Sequence, residues 1–154
     1  MAKDYDPQMH TAEHVLNQSM VRLFGCGRCF SSHLNPGKSK CDYRFPRALS
    51  DEEAASLERV VNETLAKSLP VTETSVPRSE AEKLVNLGKL PASVGPDAPI
   101  RIVAVGDYDL CPCIGAHVAN TSEVGTFRLV SHEFKPGDAP DSGVLRLRFK
   151  LENG

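Results

Sequence analysis

The sequence predicts a single α+β domain: a mainly antiparallel sheet packed against two longer helices and one short helix. Three observations predict it. Two segments carry apolar residues at helical spacing behind recognisable caps. Several shorter segments alternate apolar and polar residues, as half-buried strands do. Helices and strands do not follow the strict strand–helix–strand order of a doubly wound parallel sheet.

Taken in order, Asp6-Pro7 reads as N-cap and first residue of a helix continued by Val15, Leu16, Met20, Leu23 and Phe24, which Gly25 and Gly27 stop. Cys29 to Leu34 and Cys41 to Phe45 flank Asn35-Pro36-Gly37 as a hairpin. Ser50 with Glu53 forms a capping box ahead of the stripe Leu57, Val60, Val61 and Leu65, and that second helix ends before Pro70. Val71 to Val76 alternates as a strand. Ser79 with Glu82 opens a short helix that runs to Gly88, and 90–99 reads as a loop. Ile100 to Val105 and Thr126 to His132 are strands. In the last strand, Val144 to Leu151, one face holds Leu145, Leu147, Phe149 and Leu151, the other Arg146, Arg148 and Lys150.

The 154 residues suffice for one ordinary core without disulfide staples. No apolar run approaches the roughly 18 residues of a membrane span, and the charged N-terminus lacks the apolar stretch of a signal peptide. The expected compartment is therefore cytoplasmic, with no membrane partner. Five cysteines, an odd number, point to thiols or metal ligands rather than a disulfide framework. A net charge of −2 excludes a polycation that holds nucleic acid by charge alone, so any RNA contact must be local.

His10 and His14 are four residues apart on the first helix, so both imidazoles share a face and can converge on one ion. Thr11 stands where the zinc-protease motif has its glutamate, which removes the protease reading. Glu13 is expected to point away from the histidines, on the surface. Cys113 and His117 offer a thiolate and an imidazole at the same spacing. Together the pairs supply N, N, S and N donors, a set suited to Zn²⁺. A separation of about a hundred residues is unlike a zinc finger and suits a site assembled between distant parts of a fold. The competing set, Cys26, Cys29, Cys111 and Cys113 as a structural zinc module, leaves three histidines unexplained.

His10-Thr11-Ala12-Glu13-His14-Val15-Leu16 resembles the H-T-A-x-H-L/V-L opening of the alanyl-tRNA synthetase editing domain. The run Cys113-Ile114-Gly115-Ala116-His117-Val118-Ala119-Asn120-Thr121-Ser122-Glu123-Val124-Gly125 resembles its C-G-G-T-H-V-x-N-T-G-E-I-G block. Cys41 to Phe45 is similar to its R-F-D-F strand, and the threonyl-tRNA synthetase editing domain shares both blocks. The resemblance spans almost the whole chain, 1–154 as one editing domain, and the chain looks like the short stand-alone editing proteins of the AlaX type. It implies hydrolysis of mischarged aminoacyl-tRNA in trans, Ser- or Gly-tRNA(Ala) first and Ser-tRNA(Thr) second. His10, His14, Cys113 and His117 would be both metal ligands and catalytic residues, with Zn²⁺ as cofactor and tRNA as partner. Ile114 and Ala116 depart from the block, which keeps a non-catalytic tRNA- or synthetase-binding relative in view.

Ser31, Ser32 and His33 lie where the family has a strand lining the amino-acid pocket. Lys38, Lys40 and Arg44, with Arg47 nearby and Arg22 and Arg28 as additions, form a basic cluster for tRNA phosphates. His132 reads as a surface histidine.

Overall fold

The computed structural model describes residues 7–35, 38–77, 79–80, 99–112, 117–139 and 142–152. Helix α1 (Pro7–Phe24) is followed by β1 (Ser31–His33), β2 (Ser39–Arg44), helix α2 (Asp51–Ala66), β3 (Val71–Val76), β4 (Ile100–Val105), β5 (Asp109–Pro112), β6 (Thr126–Lys135) and β7 (Val144–Glu152). A single 3₁₀ turn, Thr121–Glu123, precedes β6. Of the short helix expected after Ser79, only Ser79 and Glu80 are described, both helical; the rest lies outside the described residues.

The helix ends are set locally. Gly25, at φ +66°, takes the left-handed conformation after α1 and donates its N–H to Val21 at 2.9 Å. The Ser50–Glu53 capping box is present in both directions at the start of α2. Arg47 and the Ser50 backbone hold the Glu53 carboxyl down to about 2.

Among the described residues all pairings are antiparallel, but the strands divide into two sheets rather than one: β1-β2-β7-β6 and β3-β4-β5. In the larger sheet Leu145, Leu147 and Phe149 of β7 are fully buried, beside Cys41 and Tyr43 of β2. Phe127 packs against Phe149 with ring centroids 5.2 Å apart. Helix α2 docks on this sheet through Leu57, Val61 and Leu65 and through Asn62, which donates to the Phe127 carbonyl and accepts its N–H at 2.9 and 2.8 Å.

The smaller sheet delivers β5 to α1. Gly106 makes the β4–β5 turn at φ +51°, where a Cβ would sit 3.0 Å from Leu69 Cδ2. Tyr108, just beyond, donates its hydroxyl to Ser19 Oγ at 2.7 Å, since the Ser19 proton goes to the Val15 carbonyl. The segment after His117 is tied down by Val71 N–H to Ala119 O and Thr121 N–H to Leu69 O, both 2.9 Å. The Val118 N–H donates to Thr11 Oγ1 at 3.2 Å, which holds α1 and the distant segment 117–121 against one another.

Candidate metal centre and adjoining cleft

Helix α1 is buried almost all round between Met9 and Met20, and its polar residues His10, Thr11, Glu13, His14 and Asn17 go inward with the apolar ones. His10 and His14, one turn apart, have ring centroids 5.1 Å from each other. His117 closes the group, stacked on His10 at 4.1 Å and edge-on to His14 at 4.5 Å. One ring nitrogen from each of the three lies within 4.8 Å of the others.

Hydrogen bonds on the outer side of two rings set which nitrogen faces inward. Thr11 Oγ1 donates to the Pro7 carbonyl at 2.8 Å, so its lone pairs accept the Val118 N–H and His117 Nδ1–H, both at 3.2 Å. That places the His117 lone pair on Nε2. His14 Nδ1 lies 3.2 Å from Asp109 Oδ2, and the carboxylate accepts its proton, so His14 likewise presents the Nε2 lone pair. Arg28 grips Asp109 with Nη1 to Oδ1 at 2.6 Å and Nη2 to Oδ2 at 3.2 Å. Burial pushes the Asp109 carboxyl up, but the His14 hydrogen bond and the Arg28 charge outweigh it and hold the group below its usual value. The same pairing raises Arg28 above its usual value against the effect of burial. Three imidazoles, two of them oriented by outer hydrogen bonds, fit a d¹⁰ cation that takes nitrogen ligands about 2.0–2.1 Å away. Cys113, the expected sulfur donor, lies outside the described residues, as do Ile114 and Ala116.

His10 and His14 line a cleft of about 570 Å³ whose other walls include Glu13, Asn17, Arg28, Cys29, Ser31, Ser32 and Cys111. The structure therefore brings Ser31 and Ser32 to the histidines. It does not bring His33, which points to a second groove of about 390 Å³ with Lys38, Lys40 and Arg148. Arg44 is apart from that groove, its guanidinium 4.2 Å over the Phe30 ring and donating to Ser142 O at 3.2 Å.

Three expectations need correction. Glu13 is buried and lines the cleft, with Oε1 4.0 Å from His10 Nε2, because α1 has almost no solvent face. Arg28 and Arg22 do not join the basic cluster: the first is committed to Asp109, and the second stacks 4.3 Å over Tyr108 and donates to its carbonyl. Asp42, ion-paired to Arg146 at 2.8 and 3.0 Å, sits between Lys40 and Arg44 and neutralises part of the patch. Cys26, Cys29, Cys41 and Cys111 are thiols. Among the described residues, Cys29 shares a donor cluster with Glu13 and Cys41, not with Cys26 and Cys111. His132 lies 3.5 Å from Asp51.

Residues 100–148 match the model of the threonyl and alanyl tRNA synthetase second additional domain. The alanine–tRNA ligase of Methanopyrus kandleri is 31% identical over 141 residues, which is 91% of this chain and 15% of the ligase. That of Methanocella arvoryzae is 30% identical over 146 residues, 94% of this chain and 16% of the ligase. The chain is similar over most of its length to a segment of alanine–tRNA ligases. The Bacillus subtilis ligase agrees, at 33% identity over 129 residues, 79% of the chain and 14% of the ligase. The chain thus spans about 15% of the length of these curated relatives. The match to the second additional domain begins at β4 and ends in β7, so it covers the smaller sheet's β4–β5 pair, His117 and most of the larger sheet's β6–β7 pair. No helix among the described residues is long and apolar enough to cross a membrane.

Sequence reasoning misses the roles of Thr11 and Asp109. Thr11 enters it as the residue that excludes the protease motif and as part of the first block, with no role of its own, and Asp109 is one of 20 acidic residues with no spacing to mark it.

Proposed function

We propose that this domain hydrolyses the ester of mischarged aminoacyl-tRNA in trans, at a zinc ion held by His10, His14, His117 and Cys113. Ser-tRNA(Ala) is the substrate that the cleft supports best, and Gly-tRNA(Ala) follows from the family alone. The observation that carries this reading is the convergence of the buried His10 and His14 with the half-buried His117, the first two in the wall of a cleft that Ser31 and Ser32 also line.

When bound, zinc supplies Lewis acidity toward the ester carbonyl or a fixed point for the substrate's amino group. The chain's own residues do the rest. Asp109 and Thr11 keep the His14 and His117 rings oriented with Nε2 inward. Ser31 and Ser32 can exchange hydrogen bonds with a seryl side chain, and an alanyl group would leave them unpaired inside the cleft. A site built to hydrogen-bond a hydroxyl rejects the analogue lacking it far more strongly than an apolar pocket rejects an added methylene. Strand β1 carries Ser31 and Ser32 into the cleft and His33 into the basic groove, so Lys38, Lys40 and Arg148 flank the path by which a tRNA 3′ end would enter.

The test is deacylation of Ser-tRNA(Ala), Gly-tRNA(Ala), Ser-tRNA(Thr) and Ala-tRNA(Ala) by zinc-loaded protein. Serine release with Ala-tRNA(Ala) spared is expected. Binding of these tRNAs without turnover would replace the hydrolase with the non-catalytic relative, a role that Ile114 and Ala116 in the second motif would then explain.

A further inference from the structure

Beside the histidines, a second set of donors converges from three elements. Glu13 comes from α1, Cys29 from the segment before β1, and Cys41 from the core-facing side of β2. One ligand atom from each lies within 4.8 Å of the others, and all three residues are buried. Their placement is built. The Cys29 N–H is held by Asn17 Oδ1 at 3.1 Å, and the same oxygen accepts the Tyr43 hydroxyl at 2.7 Å, which pins Cys29 to β2 and α1 together. Cys41 is fully buried in the sheet, and its sulfur lies within 4.8 Å of that of Cys29.

The Glu13 carboxylate has one oxygen toward each set. Oε2 lies 3.8 Å from Cys29 Sγ, and Oε1 lies 4.0 Å from His10 Nε2. Glu13 and Cys29 both line the cleft that His10 and His14 line. Two sulfurs and a carboxylate oxygen are a donor set for a thiophilic cation such as Zn²⁺ or Cd²⁺, with about 2.3 Å to sulfur and about 2.0–2.2 Å to oxygen. Three protein ligands, two of them in the cleft wall, leave a position on the cleft side for water or substrate, the arrangement of an open rather than a closed site.

We propose that Glu13, Cys29 and Cys41 form a second binding site for a thiophilic divalent cation, joined to the histidine cluster through the two oxygens of the Glu13 carboxylate. The site stands apart from the reaction proposed above, because it requires neither tRNA nor turnover. Binding exchanges the two thiol protons for the cation, and no oxidant or reductant takes part.

The probe is Cd²⁺, titrated into metal-free full-length protein kept under a non-chelating reductant, with bound equivalents counted by native mass spectrometry. The unmodified chain should bind one equivalent more than Cys41→Ala and one more than Cys29→Ala, while Cys26→Ser, outside the cluster, should lose none. Equal stoichiometry in the unmodified chain and both cluster variants overturns the proposal, as does a loss in Cys26→Ser alone. Cys41 lies in the core, so a readout that needs no variant accompanies the count. Cadmium NMR of the loaded, unmodified chain should show a resonance in the range of two sulfur ligands with oxygen. A spectrum holding only a nitrogen-rich or single-sulfur cadmium overturns the assignment even if every variant fails to fold.

Discussion

Asp109→Asn is the substitution that most sharply separates an oriented metal site from three histidines packed together. In the native arrangement Oδ1 accepts from Arg28, and Oδ2 accepts from both Arg28 and His14 Nδ1. An asparagine has one acceptor oxygen for these three donors. If its amide NH₂ takes the Oδ2 place, His14 Nδ1 must become the acceptor, and the ring proton moves to Nε2, the nitrogen that would bind the ion. If the amide is turned, its NH₂ opposes Arg28 Nη1, donor against donor. Either way, the loss of this outer partner should weaken zinc binding by about 10–100-fold, or about 1.4–2.8 kcal/mol. The fold should also suffer. Asp109 is fully buried and the Arg28 side chain is 23% exposed, so leaving the guanidinium without its carboxylate belongs at the lower end for broken buried pairs, about 3 kcal/mol. Zinc affinity is read by competition with a chromophoric chelator and stability by urea unfolding of the metal-free protein. Asp107→Asn, two residues away and exposed, is the control. Zinc affinity unchanged within threefold in folded Asp109→Asn protein would refute the claim that this carboxylate orients a ligand.

Three further outcomes are expected. Thr11→Val removes the shared acceptor of the His117 ring and the Val118 N–H, and urea unfolding should show a loss of about 1–3 kcal/mol together with weaker zinc binding. The hydrogen bond from Arg146, against a smaller opposing effect of burial, holds the Asp42 carboxyl below its ordinary 3.8; a depressed carboxylate stabilises the fold above that value and loses its contribution as the pH falls through 3.8 toward the folded-state value, so Asp42→Asn should flatten the acid limb of stability against pH. Lys40→Ala should weaken tRNA binding and make its logarithm fall less steeply with salt, by about 0.7–0.9 for each phosphate no longer neutralised, in a filter-binding series across ionic strength.

What could be read from the sequence was whatever is local. The caps at Gly25 and Ser50 and the stripes behind them depend on neighbours within one or two turns, and both helices follow them. β7 shows its two faces plainly because one meets a core and the other water. β5 is not foreseeable from pattern, since it inverts the usual one: Asp109 is buried, Leu110 is 42% exposed, and Pro112 ends it. The division into two sheets rests on β2 pairing with β7 across most of the chain, which no local pattern encodes. Glu13 is misplaced when the face of α1 opposite the histidines is read as surface. The signal against that reading is that only Glu13 and Arg22 are charged between Pro7 and Phe24, too few for a helix with a solvated side. The histidine pairings follow from spacing, which speaks along one element. The groups that orient the rings come from other elements or from the ring's own helix, and spacing does not reach them.

The most direct test of the account is serine release from Ser-tRNA(Ala), measured in one preparation as purified, after metal is stripped by a chelator, and after zinc is returned. The account predicts release that is lost on stripping and restored by zinc, and that His10→Ala protein does not recover. Full-rate release by verified metal-free protein, or none by zinc-loaded protein, would contradict it.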